Sequence, residues 1–133
     1  MSAIQILDEF PPNFAAIEAT FDLAGGELFA WDGTIYYPGG RSVPEHLMEH
    51  EKVHFGQQAG NPEAWWDRYL IDAEWRMEQE LAAHIVEFRV FCRNNRDRNE
   101  KFRYLMYLGQ RLSGPMYGNV ITASAARKRI KNG

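Results

Sequence analysis

Hydrophobic positions fall into two rhythms along the chain. Around Asp32-Gly33 they crowd into two short runs, Leu28 to Trp31 and Thr34 to Tyr37, rich in aromatic and β-branched residues. Elsewhere they recur at three- and four-residue steps, the spacing that keeps side chains on one face of a helix. Phe14, Ile17 and Phe21 form the first such stripe, and Trp65, Trp66, Tyr69 and Leu70 the second. Met77, Leu81, Ile85 and Phe88 form the longest, and Phe102, Leu105, Met106 and Leu112 a further one. Asp-Gly between the two short runs is a two-residue hairpin signal, because both central residues of a type I′ turn need positive φ.

Polar punctuation sets the helix ends. Asn13, after Pro11-Pro12, can cap the first helix, and Gly25-Gly26 ends it. Ser42-Val43-Pro44-Glu45 fits a capping box and predicts a helix from about Val43 to Gln58. Gly60-Asn61-Pro62 breaks that helix and starts a short one. Asp72 can cap a helix to about Arg93, Asp97 with Glu100 the next, and Thr122 a last short one, after a stop at Ser113-Gly114-Pro115. The pattern predicts an α+β fold: one mostly helical domain over residues 1–133, with an N-terminal β-hairpin packed beside the helix of Val43 to Gln58.

That helix carries the chemistry. Its sequence from Glu45, EHLMEHEKVHFGQQ, holds three of the four histidines, His46, His50 and His54, at steps of four. His50 and His54 lie one turn apart on one side, where two imidazoles can grip one Zn²⁺. Glu51 projects about 100° round from His50 and can reach a water on the metal without ligating it. This HExxH arrangement predicts a zinc hydrolase with Glu51 as general base. A chance match arises in roughly one such sequence in a hundred, and the capped helix, with a carboxylate-rich helix after it, raises the motif above that background. His46 is expected on the surface, because a ligand two turns from His54 would lie about 12 Å along the axis.

A catalytic zinc takes three protein ligands. Glu74, Glu78, Glu80 and Cys92 are the candidates on the next helix. Cys92 stands at its far end and suits a small buried apolar position. Periodicity favours Glu74, which falls close to the Met77–Leu81–Ile85 stripe, while Glu80 falls toward one flank.

Bulk properties narrow the partners. The chain has 133 residues, enough for one core, and a net charge of −3, so no global basic field draws it to nucleic acid. The basic stretch ARKRIKNG at the end suits a helix C-terminus. One cysteine excludes an internal disulfide and a multi-cysteine zinc site. No basic n-region or long apolar run opens the chain, and no stretch approaches about 18 apolar residues, so a cytoplasmic protein without membrane segments is expected. Export by cell lysis stays open. Trp65, Trp66, Tyr69 and Trp75 are expected in the core, Arg68 and Arg76 near the site carboxylates, and Gln57 either orienting the site or on the surface. Tyr117 is a core tyrosine or a donor to a developing oxyanion.

In order along the chain, FAWDGTIYYP, HEKVHFGQQ, WWDRYL, WRMEQELAAH and RLSGPMYGN resemble the compact zinc metallopeptidases called minigluzincins, in particular small phage and prophage proteins of that kind. The HExxH is the specific part. The resemblance implies a peptidase acting on a peptide or protein, with His50, His54 and Glu80 as zinc ligands, and in it an aromatic residue is more usual at the place of His84. It implies that the hairpin's outer strand pairs with an extended peptide, and it adds the host cytoplasm or the virion as locations. Two other readings stand beside it: a zinc amidase acting on another amide, and a phage structural or regulatory protein that keeps zinc without turnover. A deformylase-like enzyme would need a cysteine ligand upstream, and Cys92 lies downstream.

Overall fold

Parallel pairing with a strand near the N-terminus makes the predicted hairpin part of a three-stranded sheet. The computed structural model describes residues 4–133. Strand β1 (Gln5–Leu7) lies parallel to β3 (Thr34–Tyr36), with Ile6 opposite Ile35, and β2 (Phe29–Trp31) lies antiparallel to β3, with Ala30 opposite Ile35. The order β1-β3-β2 puts β3 in the centre and Ile35 in full burial. Asp32 and Gly33 have φ of 45° and 84°, the positive pair the turn requires. β1 escaped the sequence reading: it is three residues long, and its pairing is non-local.

Among the described residues six helices lie where helices were predicted: α1 (Phe14–Thr20), α2 (Glu45–Gln58), α3 (Pro62–Ile71), α4 (Ala73–Asn94), α5 (Arg98–Leu112) and α6 (Ala123–Asn132), though α1 stops before Phe21, short of Gly25-Gly26. A 3-10 turn at Pro115–Tyr117 follows the predicted stop. Asn61, Asp72, Asp97 and Thr122 cap their helices through side-chain oxygens. The capping box at Ser42 does not form. The residue before a proline is biased away from α, so Val43 cannot begin the helix. Pro44 takes the N-cap place, with extended backbone, and Glu45 turns instead to Arg93 and Asn94. Asn13 stands at the start of α1, but its side chain makes no cap bond.

Two apolar cores flank a polar seam. One gathers Ile17, Phe29, Trp65, Trp66 and Tyr69 from α1, β2 and α3. The other gathers Met77, Leu81, Leu108, Leu112, Tyr117 and Ile130 from α4, α5, the 3-10 turn and α6. Between them run α2 and α4. The buried residues of α2 are Glu51, His54 and Gln58, a polar stripe at helical spacing. Gln58 ties this helix to the sheet: its Oε1 accepts from the Asp32 N–H at 2.8 Å, and its Nε2 donates to the Ala30 carbonyl at 2.8 Å. Trp66 Nε1 donates to the same carbonyl. These bonds occupy part of β2's outer edge, so a peptide laid along it can use neither the Ala30 carbonyl nor the Asp32 N–H. Among the described residues no helix is long and apolar enough to cross a membrane.

Candidate metal centre

The buried arc of α4 is wider than its apolar stripe. At about 100° per residue, Glu80 lies about 60° to one side of Met77 and Leu81 about 40° to the other. The apolar half meets α5 and α6. The other half, Glu80, His84 and Glu87, is buried too and meets α2. Glu74 falls about 120° round from Glu80 and is exposed, which corrects the expectation that it points inward. Glu78 is exposed as well, paired with Arg129 at 3.0 Å.

His50 and His54 face Glu80. The His50 Nδ1 lies 2.6 Å from Glu87 Oε1. A carboxylate only accepts, so Nδ1 carries the hydrogen and Nε2 is bare in the neutral ring. The His54 Nδ1 lies 2.8 Å from Gln57 Oε1, and the Gln57 amide is oriented by its own donation to the Gln79 carbonyl at 3.0 Å. The His54 Nε2 is therefore bare too. These nitrogens are 3.1 Å apart, and each sits 3.0 Å from a different oxygen of Glu80. Three acceptors thus converge in a nearly dry place, and such a convergence needs a cation or protons between them.

The donor set fits zinc. Two imidazole nitrogens and one carboxylate form a common catalytic zinc triad, and bonds of about 2.0–2.1 Å in tetrahedral geometry separate ligand atoms by about 3.3 Å. The observed spacings are a few tenths of an ångström shorter, which small side-chain movements accommodate. Charge tells the same story. Burial opposes a charge on His50, but Glu80 and Glu87 outweigh it and hold the imidazole well above its ordinary pKa. Burial would raise the Glu80 carboxyl, but His54 and His50 hold it well below the carboxylate range. Tyr69 donates to Glu80 Oε2 at 2.8 Å.

Glu51 stands apart from this triad. It is 5% exposed, and its Oε2 has no hydrogen-bond partner. Burial raises its pKa, while the nearby imidazoles pull the other way. Glu87 is a hub: His50, His84 and Tyr104 all donate to it. His50, His84 and Glu87 also lie close enough to hold an ion. Their contacts are already hydrogen bonds through Nδ1, however, and an ion there would strip the hydrogen that keeps His50 Nε2 bare. A cavity of about 680 Å³ opens on the site, lined among others by His46, Glu51, His84, Tyr104, Arg111 and Tyr117.

The remaining expectations divide. Trp65, Trp66 and Tyr69 are core residues, and Gln57 orients His54. Tyr117 is buried in the α4–α6 core and also lines the cavity. Cys92 is half-buried and joins no ligand group among the described residues. His46 is half-buried rather than fully on the surface: it packs edge-on against Phe91 and Tyr104. The arginines do not neutralise the site. Arg76 is buried and donates to the carbonyls of Tyr69 and Met116, and Arg68 lies over Trp75 beside Asp72. Sequence reasoning missed Glu87 and Tyr104. A carboxylate two turns beyond Glu80, on its side of the helix, was the available signal. In comparison with known proteins, the chain matches no family model, no curated protein and no solved structure.

Proposed function

We propose that the protein is a small zinc-dependent peptidase, as its resemblance to minigluzincins implies. The observation that carries this reading is the convergence of three ligand atoms, from His50, His54 and Glu80, beside the unpartnered Oε2 of Glu51. Bound among those three side chains, a zinc ion would polarise a peptide carbonyl and acidify a water molecule. Glu51 takes the proton of the attacking water on Oε2 and delivers it to the leaving amine. Its burial suits that work, because a carboxylate shielded from solvent holds a proton more readily. Glu87 and Gln57 fix the two imidazoles in the ligating tautomer, and Tyr69 steadies Glu80. The cavity volume falls in the usual range for a short ligand.

The test is turnover of a fluorogenic peptide pool by protein loaded with zinc. Cleavage should stop with a chelator and return with added zinc. Glu51→Gln should keep the metal and lose cleavage, and His54→Ala should lose both. Release of metal by Glu51→Gln would show that its role is ligation. Stoichiometric zinc with no cleavage of any peptide would favour the non-catalytic zinc protein.

A further inference from the structure

Among the residues that line this cavity, Glu51 and His84 each hold a buried acceptor atom without a hydrogen-bond partner: Glu51 Oε2 and His84 Nε2. The proposed reaction uses the first. The second is left over, and an unmet buried polar atom needs an explanation. His84 is 4% exposed, and its ring centroid lies 4.9 Å from that of His50. Its Nδ1 sits 3.0 Å from Glu87 Oε1. Glu87 already accepts from His50 and Tyr104, and it stays a carboxylate. The hydrogen of the neutral His84 ring is therefore on Nδ1, and Nε2 presents a lone pair. The ring cannot turn this lone pair elsewhere without breaking its bond to Glu87.

A lone pair fixed in this way selects a donor. His84 follows Glu80 by one helical turn, about 5.4 Å along α4. In an extended peptide whose carbonyl sits at the triad, the N–H one residue away lies about 3.3–3.8 Å further along the chain, on the scale of the 4.9 Å between the His50 and His84 rings. We propose that His84 Nε2 accepts a hydrogen bond from the backbone N–H of the substrate residue flanking the scissile carbonyl, so that the cleft distinguishes amide-linked chains from ester-linked ones. This rests on the peptidase reading, and it makes His84 a substrate-binding residue rather than a participant in bond breaking.

The test compares two ligands that anchor on zinc through the same group. One is N-acetylleucine hydroxamate. In the other an ester oxygen replaces its single acylamide N–H. Binding is measured by calorimetry on zinc-loaded Glu51→Gln protein, which removes turnover from the measurement. The amide should bind about tenfold more tightly than the ester, the worth of one buried hydrogen bond. With His84→Phe added and zinc content unchanged, the ratio should fall to near one. A ratio near one with His84 in place overturns the proposal and leaves the peptidase reading standing, as does an unchanged ratio in His84→Phe. Failure of both ligands to bind zinc-loaded protein overturns the two together. Should His84→Phe not fold, ¹⁵N resonances of the histidine-labelled Glu51→Gln protein decide. The His84 Nε2 resonance should be that of an unprotonated nitrogen and should move with the amide and not with the ester. A protonated Nε2, or equal movement with both, overturns the assignment.

Discussion

Glu74 and Glu80 stand six residues apart on α4 and meet opposite environments. Glu80 is buried between two imidazoles and a tyrosine hydroxyl, whereas Glu74 faces solvent in the first turn, where a negative charge suits the helix dipole. Loss of a group that merely supports a ligand already costs about 10–100-fold in metal affinity. Glu80→Ala should therefore abolish tight zinc binding, and Glu74→Ala should leave it unchanged, with stability within about 0.5 kcal/mol. Titration against a competing zinc chelator decides this, and the reverse order would move the third ligand to Glu74. A second expectation concerns protons. In zinc-free protein the raised pKa of His50 keeps it charged at neutral pH, since Glu80 and Glu87 overcome the burial that opposes charge. Against the burial of His54, Glu80 raises its pKa too, so zinc must displace protons, and binding should release them to the buffer and tighten as pH rises. Calorimetry in buffers of different ionisation heat measures the release. A binding heat independent of buffer would exclude a protonated histidine from the site.

At the scale of elements, sequence legibility followed the physics of each signal. Asn61, Asp72, Asp97 and Thr122 were readable as caps because a short polar side chain before a periodic stretch has little else to do. Asp32-Gly33 was readable because few residue pairs tolerate two positive φ values. Ser42 misled because the restriction that Pro44 places on Val43 outweighed the capping pattern. The face of α4 was half legible: its apolar stripe marks the contact with α5 and α6, while the face toward α2 buries Glu80, His84 and Glu87, which hydrophobic periodicity does not count. For the same reason the motif His50-Glu51-His54 could be read locally, while Glu87, which orients it, could not. One junction invites a direct test. Helix α2 ends at Ala59 in the left-handed region, with φ of 50°. That conformation costs an L-residue about 1–2 kcal/mol, and glycine returns roughly 0.4–1 kcal/mol of this gain as unfolded-state entropy. Ala59→Gly should therefore stabilise the protein by about 0.5 kcal/mol, seen as a higher urea midpoint. A lower midpoint would mean that the Ala59 methyl contributes packing that outweighs its backbone strain.

At the scale of the whole molecule, the seam between α2 and α4 joins two apolar cores through polar contacts. On one side α2 is tied to the sheet by Gln58, and on the other α4 packs Met77 and Leu81 against Leu108 of α5 in the second core. Zinc held by two residues of α2 and one of α4 would bridge the seam itself, so its loss should be felt globally. Without zinc the seam relies on protonated histidine beside carboxylate. His50 has a raised folded pKa, so its contribution is fully present below the ordinary histidine value and is lost as pH rises through the raised one. Glu87 has a depressed pKa, because the hydrogen bonds from His50 and His84 outweigh its burial. Its contribution is present above the ordinary carboxylate value and is lost as pH falls toward the depressed one. Zinc-free protein should accordingly be most stable in mildly acid solution and weaken toward alkaline pH. Zinc should add most where the proton is absent. With free zinc at a hundred times the dissociation constant the gain is about 2.7 kcal/mol, on the order of a 10 °C rise in Tm for a chain of this size. Thermal unfolding at pH 6 and pH 8, each with zinc and with chelator, checks both claims: one transition in every case, with the larger zinc shift at pH 8. Equal Tm values with and without zinc would remove the metal from the account of this fold. Equal zinc shifts at the two pH values would mean that the histidines of the zinc-free state are uncharged, with the lone pairs of His50 and His54 facing Glu80 unrelieved.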